Sequence, residues 1–200
     1  MTMTSYYLMA MSLILLAYLL GSFSSAVIVC RFLKLPDPRL VGSGNPGATN
    51  VLRCAGKKAA VFTLLLDVAK GFFPVYLALS FSLNPTLIGA TALATFFGHL
   101  YPIYFDFQGG KGVATSFGLL LGIAWQAALF SFATWLSILL LFRYSSLAAL
   151  SSALAAPFFV LLISDDLAYM STISIVSTGL VLRHRNNIHR LMNGQENKLK

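Results

Sequence analysis

Three separated stretches of this chain combine polar side chains with positive charge, two of them around glycines, a mixture suited to capturing phosphate. The first reads Gly42-Ser43-Gly44-Asn45-Pro46-Gly47-Ala48-Thr49-Asn50, with Arg53, Lys57 and Lys58 after it. Glycines let successive backbone N–H groups turn toward one point and form an anion nest. Ser43, Asn45, Thr49 and Asn50 add side-chain donors, and either Thr49 or Asn50 is suited to cap a helix that begins there. A helix N-terminus favours phosphate in its own right, and Arg53, one turn inside, offers a forked, charge-assisted pair. The plainer alternative is a Gly- and Asn-rich turn at a membrane surface, its basic residues touching lipid headgroups. The spacing is neither GxxxxGK[ST] nor GxGxxG, so a nucleotide is not the default ligand.

The second stretch, Gln108-Gly109-Gly110-Lys111-Gly112-Val113-Ala114-Thr115, sets a lysine between glycines where an apolar run begins. Its ammonium can meet an anion beside exposed backbone N–H groups, or it is a lysine snorkelling from a helix end. The third is His184-Arg185-Asn186-Asn187-Ile188-His189-Arg190, directly after the last apolar run. In helical register His184 and Asn187 share a face, and histidine beside an amide suits proton handling or phosphate holding near neutral pH. The competing reading is an amphipathic basic tail lying on anionic lipid. Ser146, near Arg143, is a further donor, or simply the cap of the helix it opens. His99 ends another apolar run, where either a structural hydrogen bond or a place lining a site accounts for it. Asp67 and Lys70, three residues apart, read as a buried pair, since either charge alone is costly in lipid.

The elements that must position these residues are membrane helices. Hydrophobic residues make up 58% of the 200 and charged residues 10%, against about 25% charged in soluble domains. A water-soluble chain of this size cannot hide so much apolar surface, whereas a bilayer solvates it directly. The net charge is +8, but the basic residues sit in breaks between apolar runs and not along a soluble face, which argues against nucleic-acid binding. Cys30 and Cys54 lie in no CxxC or Cys/His spacing, so neither a zinc site nor a disulfide framework is expected. Cys30 reads as a small packing residue. No metal-ligand cluster and no internal repeat is visible. Residues 1–7 lack a basic n-region, so the first apolar segment is expected to be a retained helix.

Apolar spans are predicted over residues 7–30, 59–81, 86–105, 113–142, from the Ser145-Ser146 break to 164, and 167–182. Every Lys and Arg except Lys70 lies within 31–58, at 111, at 143, or from 183 onward. Placing all four groups in the cytoplasm, as the positive-inside rule asks, requires 113–142 to cross twice or to dip and return. Gly122 and Trp125-Gln126 offer the break. Two helices of about 14 residues would each reach about 21 Å, short for a crossing, so local thinning or neighbouring helices must absorb the mismatch. The expected architecture is a single all-α transmembrane domain, 1–200, of about seven helices with the N-terminus outside and the C-terminus cytoplasmic. A five- or six-helix bundle with one long tilted span is the competitor.

The ordered set Asp37-x-Arg39-x-x-GSGNPGATN-x-x-Arg53, Gly56-Lys57-Lys58, Asp67-x-x-Lys70-Gly71, Gly98-His99-x-Tyr101-Pro102, GGKGVAT and His184-Arg185-x-Asn187-Ile188-x-Arg190-Leu191 spans nearly the whole chain. It resembles the bacterial membrane-integral glycerol-3-phosphate acyltransferases that use acyl phosphate as donor. Ala60 departs from the glycine that often follows the paired lysines, which touches nothing catalytic. The resemblance implies acyl transfer to the first-position hydroxyl of glycerol 3-phosphate, giving lysophosphatidic acid and phosphate for phospholipid synthesis. It implies no cofactor and no metal, with the active site on the cytoplasmic face of the bacterial inner membrane and membrane lipid as surroundings. The histidine and aspartate separated by four residues that mark acyl-CoA-dependent enzymes are missing, because six residues separate His99 from Asp106.

Carried onto this chain, the resemblance gives Ser43, Arg53, Lys111, Ser146 and Asn187 to the glycerol 3-phosphate side. Asn45 and Thr49 with nearby backbone N–H groups would hold acyl phosphate. Gly44, Gly47, Asn50, Arg39, Gly109, Gly110 and Gly112 complete the expected substrate-binding set. His184 is the one well-placed neutral base, but a substrate phosphate oxygen is expected to take the proton, with His184 positioning phosphate. A transporter or flippase for phosphate headgroups would use similar loops. It would need polar residues along several spans, and these spans are mostly apolar.

Overall fold

The computed structural model describes residues 2–199, and every regular element among them is a helix. The first predicted span is two helices, α1 (Met3–Gly21) and α2 (Ser25–Phe32). Helix α1 ends where Gly21 presses on the backbone of Thr95 and the Ser22 hydroxyl donates to the Tyr18 carbonyl at 2.9 Å. The chain then turns to bury Ala26, Val29 and Cys30 against Val51, Ala59 and Ala60, so packing overrides the apolar run. Helix α3 (Ala48–Ser80) starts well before the predicted residue 59, and Gly56 (φ 86°, ψ 177°) breaks it into a short leading piece and a long apolar one. That kink lets the leading piece aim its first turn at the polar end of the bundle.

Helix α4 (Pro85–Leu100) begins with proline at its first position and Asn84 accepting from the Leu87 N–H at 2.9 Å, as the Asn-Pro signal leads one to expect. A short 3-10 turn (Ile103–Phe105) leads toward the second glycine loop. The 113–142 run is two helices, α5 (Val113–Ile123) and α6 (Trp125–Phe142), with an extended break at Ala124. The break falls beside the predicted Gly122 and Trp125, but the pieces have 11 and 18 residues and are not equal halves. The inequality follows from their partners. Gly71 and Gly118 bring the backbones of α3 and α5 into direct contact, the small-residue packing common between membrane helices, while α6 packs against the next helix, α7 (Ser145–Ser164).

The chain finishes with α8 (Leu167–Arg183), capped by Asp166 on the Ala168 N–H at 2.8 Å, and α9 (Arg185–Met192). Pro157 inside α7 removes the donor that the Ala153 carbonyl would otherwise receive. The Ser177 hydroxyl of α8 supplies it instead at 2.6 Å. Five helical segments are long and apolar enough to cross a membrane: Met3–Gly21, Ala48–Ser80, Pro85–Phe105, Trp125–Phe142 and Ser145–Ser164. Val113–Ile123 and Leu167–Arg183 are shorter apolar helices. Leu16, Phe73, Leu141 and Leu162 stay exposed on the outer faces, where hydrocarbon and not water is the fitting solvent. Phe96, Leu100, Leu119, Val176 and Leu180 form the centre of the core.

Candidate active site

Three helix N-termini border one cavity of about 620 Å³: α3 at Ala48-Thr49, α5 at Val113-Ala114 and α7 at Ser145-Ser146. None carries a side-chain cap; Gly47, Gly112 and Tyr144 precede them. The expectation that Thr49 or Asn50 caps the first of these is therefore corrected, because α3 starts at Ala48 with both residues already inside it. Asn50 is committed backward. It is buried, accepts from the Ser43 N–H at 2.9 Å and donates to the carbonyls of Pro38 at 2.8 Å and Val41 at 3.1 Å. It shapes the loop that carries Ser43. The Thr49 and Ser145 hydroxyls meet at 3.3 Å and join this loop to α7.

Among the described residues, the N–H groups of Ala48, Thr49, Lys111 and Gly112 meet no protein acceptor. Uncapped N–H groups and the positive ends of three helix dipoles, facing one space, favour an anion there. Glycine is required at two hinges. Gly42 (φ 63°) has Asn50 and Cys54 where a side chain would go, and Gly112 (φ 87°) has Phe96.

The predicted donors converge from distant parts of the chain. Lys111 Nζ donates to Asn187 Oδ1 at 2.6 Å, and Asn187 Nδ2 donates to Glu196 Oε1 at 2.6 Å. The Ser146 hydroxyl donates to the same oxygen at 2.6 Å, and Arg190 Nε to Glu196 Oε2 at 2.7 Å. Arg53 reaches the Asn197 carbonyl at 3.3 Å. Ser43, Asn45, Gly47, Thr49, Asn50, Arg53, Lys111, Gly112, Ser146, His184 and Asn187 all line this cavity. Glu196, the chain's sole glutamate, is a site residue that sequence reasoning misses; its one signal in sequence is a lone acid in a basic tail. Arg190 and Arg183 are missed likewise. Arg183 donates to the carbonyls of Gly109 at 2.8 Å and Gly110 at 3.2 Å, tying the second glycine loop to the end of α8.

Four predicted residues lie elsewhere. Arg39 is paired with Asp37 at 2.8 Å and stands over the Phe105 ring. With Gly44 and Gly109 it borders a second opening that shares Ser43, Asn45 and Lys111 with the first. Gly110 packs against His99 and Pro46 beneath both. The expected buried pair is present, with Lys70 Nζ 2.9 Å from Asp67 Oδ1 and 2.8 Å from the Phe23 carbonyl. His99 does both things that were open to it: Nδ1 lies 3.1 Å from the Thr115 hydroxyl and 3.6 Å from Asp67, and the ring lines the cavity.

His184 occupies the joint between α8 and α9. Its Nδ1 lies 2.8 Å from the Leu180 carbonyl. A carbonyl only accepts, so Nδ1 carries the proton and Nε2 keeps a lone pair. Burial pushes the imidazole down to about 4, against the Leu180 bond and with help from the Lys111 charge. At neutral pH the ring is thus uncharged and offers the cavity an acceptor. Burial also holds the Lys111 ammonium down at about 8; Glu196 opposes this, while Arg190, Arg183 and Arg53 add to it.

The family model for glycerol-3-phosphate acyltransferase matches residues 11–194. The chain belongs to that family. The glycerol-3-phosphate acyltransferase of Methylococcus capsulatus is 52% identical over 187 residues, 94% of each chain. That of Vibrio cholerae serotype O1 is 50% identical over 191 residues, 96% of this chain and 91% of the relative. The crystal structure of PlsY, an integral membrane glycerol 3-phosphate acyltransferase in its glycerol 3-phosphate form, superposes with a TM-score of 0.92 at 40% identity, covering 96% of each chain. Its lysophosphatidic acid form gives 0.90 at 39% identity, over 96% and 95%. This integral membrane protein is therefore an acyltransferase, and the carrier alternative falls away.

For this acyltransferase the Lys111 environment predicts an alkaline limb. The ammonium is charged below about 8 and neutral above it, so anion capture fades as pH rises through that value. The limb belongs in kcat/KM, which reports the free enzyme, and moves upward in kcat, where bound phosphate holds the proton on. Glu196→Gln removes the carboxylate that favours the ammonium, so the kcat/KM limb shifts to lower pH. A pH–rate series on both proteins checks this; an unmoved or raised limb in the variant counts against it.

Proposed function

We propose that this acyltransferase moves a fatty acyl group from acyl phosphate to the 1-hydroxyl of glycerol 3-phosphate, releasing lysophosphatidic acid and inorganic phosphate for phospholipid synthesis. The observation that carries it is the meeting of three uncapped helix N-termini with Lys111 and Arg53 at the polar end of a cavity whose remaining walls are mainly apolar. Two phosphates need that much positive potential, and one acyl chain needs the apolar remainder. Ser43, Arg53, Lys111, Ser146 and Asn187 take glycerol 3-phosphate. Asn45, Thr49 and the N–H groups of Ala48 and Thr49 take acyl phosphate. The glycerol 3-phosphate and lysophosphatidic acid forms of PlsY correspond to the acceptor and the product.

The donor is already activated, so the protein's share is alignment and charge compensation. The acceptor hydroxyl oxygen bonds to the acyl carbonyl carbon, the carbon–oxygen bond to phosphate breaks, and its electron pair stays on the departing phosphate. The hydroxyl proton ends on that phosphate. His184, neutral with its Nε2 lone pair free, orients the hydroxyl by accepting its hydrogen bond, a role that fits its tautomer better than holding phosphate. No cofactor enters.

In the same reading, α1, α3, α4, α5, α6, α7 and α8 make seven crossings of the bacterial inner membrane as a single domain. The N-terminus is outside and the site is cytoplasmic. Support comes from Arg53, Lys111, Arg183 and Arg190 gathering at one end of the bundle, the end the positive-inside rule assigns to the cytoplasm. The test is phosphate release by purified protein given acyl phosphate, with and without glycerol 3-phosphate. Acceptor-dependent release is expected. Transfer from acyl-CoA alone would overturn the donor.

A further inference from the structure

The cavity has a polar mouth, and its far end is lined mainly by apolar side chains. Below the mouth its walls are Val68 on α3, Phe117 on α5, Ala149 and Ala153 on α7, and Val176 and Leu180 on α8. Its deepest lining residues along α7 and α8 are Ala156 and Ile173, joined by Leu120 of α5, and all three are buried. Beyond them the bundle is filled, because these residues pack in one cluster with Ala124, Ala127, Ala128 and Val160. Two helices measure the depth independently. Ala156 lies ten residues past Ser146 on α7, and Ile173 lies eleven before His184 on α8. At about 1.5 Å per residue these are about 15 Å and about 16 Å, so both helices place the floor at the same level. The bond from Ser177 to the Ala153 carbonyl holds α7 and α8 together within this depth.

We infer that Leu120, Ala156 and Ile173 form a stop that sets the length of the acyl chain this protein transfers. The inference rests on the acyl occupancy of the cavity proposed above. An acyl chain whose carbonyl sits among Thr49, Lys111 and His184 runs down the cavity and meets this floor with its terminal methyl. A chain that ends at the floor keeps its methylenes against mainly apolar walls. A longer one must buckle or leave sideways past Leu64, Leu65 and Phe132, which line the cavity and are also exposed on the outer face.

Enlarging Ala156 raises the floor and trimming Ile173 lowers it. Each methylene denied its apolar contact lowers kcat/KM about fourfold, so Ala156→Leu, excluding about two of them, should lower the long-to-short preference about fifteenfold. Ile173→Ala should raise that same ratio about fourfold for each methylene newly admitted. The experiment gives purified wild type and both variants pairs of saturated acyl phosphates of different length in one vessel, with glycerol 3-phosphate, and reads the product ratio by mass. Because the ratio is internal to each sample, the fraction of folded protein cancels.

Opposite shifts in the two variants establish the stop. An unchanged ratio in both overturns it, the chain then leaving sideways into lipid. Equal loss at every length also overturns it, the residues then being packing alone. The same series presented as acyl thioesters separates this from the donor question. A protein that accepts only thioesters refutes the acyl phosphate reading, and its length profile still decides the stop.

Discussion

Replacing Lys111 by alanine is expected to lower kcat/KM for glycerol 3-phosphate about 10²–10³-fold, the scale set by deleting one preorganised charge-stabilising donor. Lys111 stands in the second glycine loop and lines the cavity beside α7, and its Nζ is held at 2.6 Å by Asn187. Gly110 lies against His99, and Gly112 in its left-handed conformation lies against Phe96, so the ammonium's direction is built into the backbone. Lys111→Arg should not restore the rate, because a planar fork cannot take the place of a compact ammonium between two crowded glycines. His184→Ala should also lose activity with saturating substrates, since the hydroxyl then lacks its acceptor. Steady-state rates on purified variants check both. If Lys111→Ala and His184→Ala each kept normal turnover, the assignment of this site would be wrong.

Gly110→Ala should produce a loss of similar size through geometry alone. A methyl there would meet His99 Nε2 and come within 3.2 Å of the Pro46 carbonyl. Neither neighbour has room to yield. His99 is tied to Thr115 at 3.1 Å and lies beside the Asp67–Lys70 pair, and Pro46 belongs to the first glycine loop. Arg183 Nε pulls the Gly110 carbonyl from the other side at 3.2 Å. One methyl therefore drives the two glycine loops apart, and a misplacement of about 1 Å is enough to cost about 10²-fold. The helices themselves lose no contact, so circular dichroism should match wild type while turnover collapses. Turnover near wild type would mean that the spacing between the loops is not what aligns the substrates.

Much of this site is legible in the sequence. The two glycine loops, Arg53, Lys111, Ser146, His184 and Asn187 are readable because their chemistry is intrinsic to residue type, and a charge or a glycine inside an apolar chain needs a reason. The interruption near Ala124 is readable too, since an apolar run too long for one crossing and basic at both ends has few other solutions. The Asp67–Lys70 pair follows from the cost of a lone charge in lipid.

What is not legible depends on contacts between distant segments. Asn50 looks like a ligand donor or a cap, yet its amide serves Pro38, Val41 and Ser43. The first apolar run looks like one span, yet the glycine contact of α1 with α4 ends it early and α2 packs on α3. Glu196 carries almost no local signal, and it holds Ser146, Asn187 and Arg190 at once. Residue types decide which groups lipid, water or phosphate will tolerate, because solvation is a local property of each side chain. Which donor finds which acceptor is left to the packing of α3, α5, α7 and α8, since hydrogen bonds across dozens of residues exist only once the helices are in contact.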